Sequence, residues 1–289
     1  AVASIQVPKE AKEKGGGVRL MPGPEVHNLS KREIFRKALA LRDQGKLFDL
    51  EKPYFVEWFR NSVDRFAEIA HHLRFSKRVL DVGAAGGLLL SLLAEFGHEC
   101  FAVDVNDSPA FAPEIYLSKN IDFRICNIEV DPVPHPDDFF DAVVCCQTLE
   151  HFTHSHMNAV REMRRVLKPG GILEIDVPNA VCFRNRSRMI RGKHITWEYR
   201  KHYLLAEPVQ YKGMFFYPDR HNRDFTIEDL KVLLEEASMH IDSIYFLKSK
   251  KRREGIRSIL SAGSMARDLV PSFRKHIIAI GRKPGEWKT

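Results

Sequence analysis

The chain has 289 residues, 44% of them hydrophobic and 29% charged, with five cysteines and a formal net charge of +7. That composition excludes disorder, collagen-like repetition and a disulfide scaffold, and the length allows one large α/β domain or two small ones. No apolar run approaches the roughly 20 residues of a membrane-spanning helix, and the opening AVASIQVPKEAKEKGGG is charged where a signal peptide is apolar, so a cytoplasmic protein is expected.

In chain order, residues 1–25 combine Lys, Glu, Gly and Pro and read as a flexible tail. A helix is predicted from Ser30, where Ser30 and Glu33 have the capping-box spacing, with Ile34, Ala38 and Leu41 at helical intervals. A second follows Pro53, with Phe55, Phe59, Val63, Phe66, Ile69 and Leu73 on one face. Together, residues 26–75 form an expected N-terminal helical cap. From residue 76 short apolar runs alternate with helical segments, the pattern of a parallel sheet covered on both faces. Strands are expected at 78–82, 99–103, 122–126, 142–146 and 172–177, with helices near 88–96 and 156–167. A long basic, aromatic-rich connection at 180–222 leads to a helix at 226–238 and two more strands at 241–247 and 276–281. The expected fold is a doubly wound α/β domain over 76–289, a seven-stranded, mostly parallel sheet with 180–222 inserted as a substrate cap. Cys145 and Cys146 lie inside an apolar strand, and no C-x-x-C occurs, so reduced, buried thiols are expected.

The charge is concentrated in two places. Residues 182–203 hold Arg184, Arg186, Arg188, Arg191, Lys193, Arg200 and Lys201 against Glu198, and residues 248–257 hold six cations against Glu254, so the remainder is mildly acidic.

The densest motif runs from Val79 through Asp81, Gly83, Ala85, Gly86 and Gly87: a strand, a glycine-rich turn and a helix start. Glycines allow close backbone approach, and a helix N-terminus offers unpaired N–H groups. Asp104 ends the next strand, where a carboxylate can accept from both hydroxyls of a ribose. The spacing is not the G-x-G-x-x-G of dinucleotide sites, and the acid at Asp81 suits a ligand with an ammonium group better than a pyrophosphate.

On DVGAAGG at 81–87, Asp104 after FAV, DAVVCCQTLEHF at 141–152, RRVLKPGGIL at 164–173 and HNRDFTIEDLKVLLEEA at 221–237, the sequence resembles the class I S-adenosylmethionine-dependent methyltransferases. The resemblance is strongest to the broad group that includes ubiquinone-biosynthesis-type O-methyltransferases. It spans about residues 76–247 and a last strand ending IIAIGRKP at 277–284, and it implies the Rossmann-like fold and the cofactor S-adenosylmethionine. By position, it implies that Asp81, Gly83 and Ala85 line the methionine portion, with Gly87 completing the loop. Asp104 would hold the ribose, Asn127 and Ile128 would meet the adenine, and Gln147 would lie beside the methionine portion. Ala85 stands where relatives commonly have Gly, and Asn127 where many have Asp.

A sulfonium already activates its methyl group, so the protein's task is to position the acceptor and, for a hydroxyl, to take its proton. His151 and His221 are the candidate catalytic residues, His151 weighed against a capping or cofactor-contacting role and His221 matching a His that relatives also point into the site. Some relatives carry E-x-x-E-H at 147–151 and bind a divalent metal. Gln147 replaces the first Glu here, so no metal is expected, Glu150, His151 and His221 being the set that would hold one. Arg184, Arg188 and Trp197 are the candidate substrate-binding residues, because guanidinium forks match anions and aromatic faces stack on rings.

The reading is methyl transfer to an oxygen of a small or carrier-linked acceptor, anionic or sugar-like. RNA methylation and a non-catalytic cofactor-binding regulatory role stand as alternatives. The basic run from 248, followed by Ile256, Ile259, Leu260 and Met265, matches either peripheral contact with an anionic membrane or a segment packed on the sheet edge.

Overall fold

A computed structural model describes residues 24–196, 198–248 and 269–285. A short α1 (Pro24–His27) precedes α2 (Lys31–Asp43), which begins as its sequence dictates. The Ser30 hydroxyl accepts from the Glu33 N–H, and the Glu33 carboxylate accepts from the Ser30 N–H at 2.8 Å. α3 (Pro53–His72) starts with Pro in its first turn, where a missing N–H costs nothing.

The sheet then builds from β1 (Arg78–Val82), β2 (Glu99–Asp104), β3 (Asp122–Ile125), β4 (Phe140–Cys146) and β5 (Leu167–Pro178), all parallel. Between them run α4 (Leu88–Glu95), α5 (Ser108–Phe111), α6 (Pro113–Ser118) and α7 (His156–Val166). After β5 come α8 (Phe183–Ile190), the hairpin β6 (Val209–Tyr211) and β7 (Met214–Phe216), α9 (Ile227–Glu236), β8 (His240–Phe246) and β9 (His276–Arg282). The strand order is β3-β2-β1-β4-β5-β9-β8, with β9 antiparallel to both neighbours. This is the expected seven-stranded, mostly parallel sheet.

Its inner strands carry apolar residues on both faces because both are covered. Val79, Ala142 and Val144 join one core layer with α2, α3 and α4, while Leu80, Val82, Val143 and Cys145 join the other with α7 and α9. The side chains of α2 and α3 are thus continuous with one layer of the core. All five cysteines are free thiols.

Within 180–222 the structure adds what periodicity missed. α8 buries only Asn185, whose amide donates to the Ala180 carbonyl at 2.9 Å, while Phe183, Met189 and Ile190 stay exposed. A helix without an apolar buried face leaves no stripe to read. Trp197 and most of the second basic run, including Ile256, Ile259, Leu260 and Met265, lie outside the described residues. Among the described residues no helix is long and apolar enough to cross a membrane.

Candidate functional site

The C-terminal ends of β1, β2 and β4 open into a cavity of about 250 Å³, at the sheet edge where α/β folds place ligands. Gly83, Ala85, Asp104, Asn127, Ile128, Gln147 and His151 all line it, joined by Thr148, Phe152 and the segment from Phe216 to Asp219. Asp81 and Gly87 do not.

The glycines also make room for the protein's own side chains. A Cβ on Gly83 would lie 2.3 Å from the Thr148 methyl, and one on Gly86 would lie 2.8 Å from the Trp58 ring. One on Gly87 would meet Ile115 and Tyr116 at 3.1 and 3.2 Å. The loop is glycine-rich because protein side chains from three directions close on it. Gly83 and Gly87 also have positive φ, as does Ala85 at 44°. Ala85 is held there at both ends: its N–H donates to Asp104 Oδ2 at 3.0 Å, and its carbonyl accepts from the Tyr116 hydroxyl at 2.8 Å.

Asp104 also accepts from the Asn106 N–H at 2.9 Å and remains almost wholly buried, so burial raises its pKa against those hydrogen bonds. Asp81 is buried beside it with Oδ1 lacking a hydrogen-bond partner. Burial and the nearby Asp104 push the Asp81 carboxyl well above the usual range. Two carboxylates out of water at adjacent strand ends repel each other, and a cationic ligand offsets both penalties. These donors and acceptors fit S-adenosylmethionine, which combines a ribose diol with an ammonium and a sulfonium. Asn127 turns its amide oxygen to the Glu129 N–H at 3.1 Å, and Gln147 adopts a left-handed φ of 55°.

His151 stands between this cavity and a second one of about 340 Å³, lined by His151, Lys201, His202, Tyr203, Asp219 and His221. Its Nδ1 lies 2.9 Å from the Arg220 carbonyl, which can only accept, so the neutral ring carries its proton on Nδ1 in that contact. Burial, then neighbouring His221, lowers its pKa to about 4. The His221 ring meets it edge to face with centroids 4.8 Å apart, and His221 Nδ1 is 3.5 Å from Asp224. Beneath them Glu150 is fully buried with Oε2 unbonded, and burial raises its pKa to about 8. One ligand atom from each of Glu150, His151 and His221 lies within 4.8 Å of the others, a spacing that could hold a cation.

The expected substrate arginines are elsewhere. Arg188 donates to the carbonyls of His194 and Thr196 at 2.7 and 3.3 Å, and neither it nor Arg184 lines the two cavities. Sequence reasoning missed Lys201, Tyr203 and Arg220. Arg220 lies 3.5 Å over the Tyr217 ring and donates to the carbonyls of His202 and Tyr203, which ties the inserted segment together beside His151. Its position directly before His221 was the one available signal. Thr148 had none, because its role is to fill a space that Gly83 leaves.

A family model described as a methyltransferase domain matches residues 54–243. Among curated proteins, the mitochondrial ubiquinone biosynthesis O-methyltransferase of Mus musculus is 34% identical over 110 residues, which cover 35% of this chain and 29% of that protein. The ubiquinone biosynthesis O-methyltransferase of Dechloromonas aromatica is 30% identical over 122 residues, 41% of this chain and 48% of that protein. The chain therefore spans less than half the length of these relatives. Among solved structures, an S-adenosylmethionine-dependent methyltransferase from Archaeoglobus fulgidus aligns with TM-score 0.51 at 18% identity, covering 80% of this chain and 99% of that one. The [4+2]-cyclase SpnF aligns with TM-score 0.52 at 22% identity, covering 78% and 83%. At these identities the structural matches establish the fold alone.

Proposed function

Since the chain belongs to the methyltransferase-domain family, we propose that it moves a methyl group from S-adenosylmethionine to a hydroxyl oxygen of a small or carrier-linked acceptor. The observation that carries this reading is His151: neutral, held against the Arg220 carbonyl, and set in the wall shared by two cavities. Asp104 would hold the ribose and Asn127 and Ile128 the adenine, with Gly83, Ala85, Gln147 and the field of Asp81 at the methionine end. The donor supplies a methyl group already activated on a sulfonium. His151 Nε2 orients the acceptor hydroxyl and takes its proton as the oxygen is methylated. A base held near 4 is weak, so orientation is its larger contribution.

An anionic acceptor would meet Lys201, which lines the second cavity. The test is methyl transfer from methyl-labelled donor across a panel of hydroxy acids and neutral sugars, with His151→Asn beside the unaltered chain. His151→Asn is expected to lower turnover about a hundredfold while leaving S-adenosylhomocysteine affinity within about threefold. Unaltered turnover in that variant would remove His151 from the chemistry.

The spacing of Glu150, His151 and His221 supports a second reading, in which they hold a divalent cation that polarises the acceptor oxygen. Glu150 must lose its proton first, so calorimetric titration with Mn²⁺ should show affinity rising about tenfold per pH unit until pH passes about 8. Glu150→Gln should abolish the binding. Binding heat that ignores both pH and Glu150 would remove the reading.

A further inference from the structure

β5 carries Glu174 and Asp176 two residues apart, both fully buried, on a strand whose neighbouring positions are apolar. Their face looks onto Arg65, Glu68 and His72 of α3, spaced to lie along one side of that helix. His72 Nδ1 is 3.0 Å from Glu174, and Arg65 Nε is 3.5 Å from Asp176 Oδ2 as an ion pair. Replacing such buried charges by apolar groups is often neutral or stabilising, so stability alone gives no reason for Asp176.

What Asp176 touches supplies one. Its Oδ1 accepts from the Gln147 side-chain N–H at 3.3 Å, and its backbone carbonyl accepts from the Gln147 N–H at 2.7 Å. Its Oδ2 accepts from the Cys146 thiol at 3.4 Å, and His276 Nδ1 lies 4.0 Å from Oδ1. Gln147 is left-handed, a conformation that L side chains resist, and it passes directly to Thr148, which fills the space above Gly83. A carboxylate can only accept, so the Gln147 amide must turn its N–H toward Asp176. Its amide oxygen is then what remains for the cavity that Gln147 lines, and an acceptor is the group suited to the cationic end of the donor.

We propose that Asp176 is a positioning residue that acts through Gln147. Its carboxylate fixes which end of the Gln147 amide faces the methionine portion of the cofactor, with Arg65 of α3 as its counter-charge. This rests on the cofactor assignment above. The amide orientation, and with it cofactor affinity, depends on a helix that contributes no residue to the cavity wall.

The test is a double-mutant cycle read by calorimetric titration of the full chain with S-adenosylhomocysteine. Asp176→Ala and Gln147→Ala should each weaken binding about tenfold, and the double variant no further than either alone. Asp176→Asn keeps an acceptor for Gln147 and should stay within about threefold. If Asp176→Ala does not fold, Arg65→Met replaces it in the same cycle and should weaken binding only when Gln147 is present. Multiplicative losses in the double variant, or full affinity in a folded Asp176→Ala, would overturn the proposal. Absence of S-adenosylhomocysteine binding by the unaltered chain would instead overturn the cofactor assignment itself.

Discussion

At residue scale the site is built from groups held in states that free side chains avoid. Ala85 occupies a left-handed backbone conformation that costs an L residue about 1–2 kcal/mol, against the 0.5–1 kcal/mol that glycine loses in chain entropy. Ala85→Gly should therefore stabilise the chain by about 0.5–1 kcal/mol with its bond to Asp104 intact, measured by urea unfolding. His151 gives a pH signature. Its folded pKa of about 4 lies below the 6.5 of an exposed imidazole, so the unfolded chain takes the proton first as pH falls. Stability owed to neutral His151 is complete above about 6.5 and declines from there down to about 4. His151→Gln should flatten that part of the melting-temperature profile, and an unchanged slope would contradict its burial. The identities of Gly83, Ala85, Asp104, Asn127, Ile128, Gln147 and His151 as cavity residues were legible in motif order. Lys201 was legible only as one cation among many in a basic stretch, because an exposed lysine carries no mark of the cavity it borders.

At the scale of elements, the contact that matters is α3 against the loop at 83–87. The missing Gly86 side chain is where Trp58 and Phe55 sit, and Phe55, Tyr54, Trp58 and Phe111 form one aromatic group around it. Gly86→Ala forces atoms to within 2.8 and 2.9 Å of two rings. It should destabilise the chain by about 1–3 kcal/mol, seen as a lowered melting temperature that Trp58→Ala partly restores. A melting temperature unaffected by Gly86→Ala would show that α3 does not press on the loop. The strands and long helices were readable because each has a buried face with its own period. The hairpin of β6 and β7 and the helix α8 were not, because their residues are held by hydrogen bonds rather than by a periodic apolar face: the Tyr211 hydroxyl to Asp131 of the loop after β3 at 2.5 Å, and the Arg186 guanidinium to the Val181 carbonyl at 2.6 Å.

At the scale of the whole molecule, the N-terminal helices are part of the sheet's cover. Phe55, Phe59, Phe66, Ile69 and Leu73 are buried in the same cluster as Leu88, Leu92 and Phe96 of α4 and its C-cap. At about 1.5–3 kcal/mol for each buried side chain, five of them supply about 7–15 kcal/mol as an upper bound, comparable to the whole stability of a typical domain. Removing residues 1–75 should therefore leave a chain without a cooperative thermal transition. A sharp transition in that fragment would make the helices a separable cap. A [4+2]-cyclase has the same architecture, so the fold alone does not fix a reaction.

By itself, the sequence determined the order of the sheet's seven strands and the long helices, the glycine-rich turn after β1 and the acids Asp81 and Asp104 near the ends of β1 and β2. Those features are local: they depend on spacing along the chain and on which side chains must leave water. The tertiary structure decided what each glycine accommodates, which cations reach the cavity, and that Asp176 of β5 and Arg65 of α3 stand behind Gln147. The last two contacts join residues 29 and 111 positions apart, formed because packing a layer of helices on a sheet brings together side chains whose spacing in sequence carries no record of their meeting.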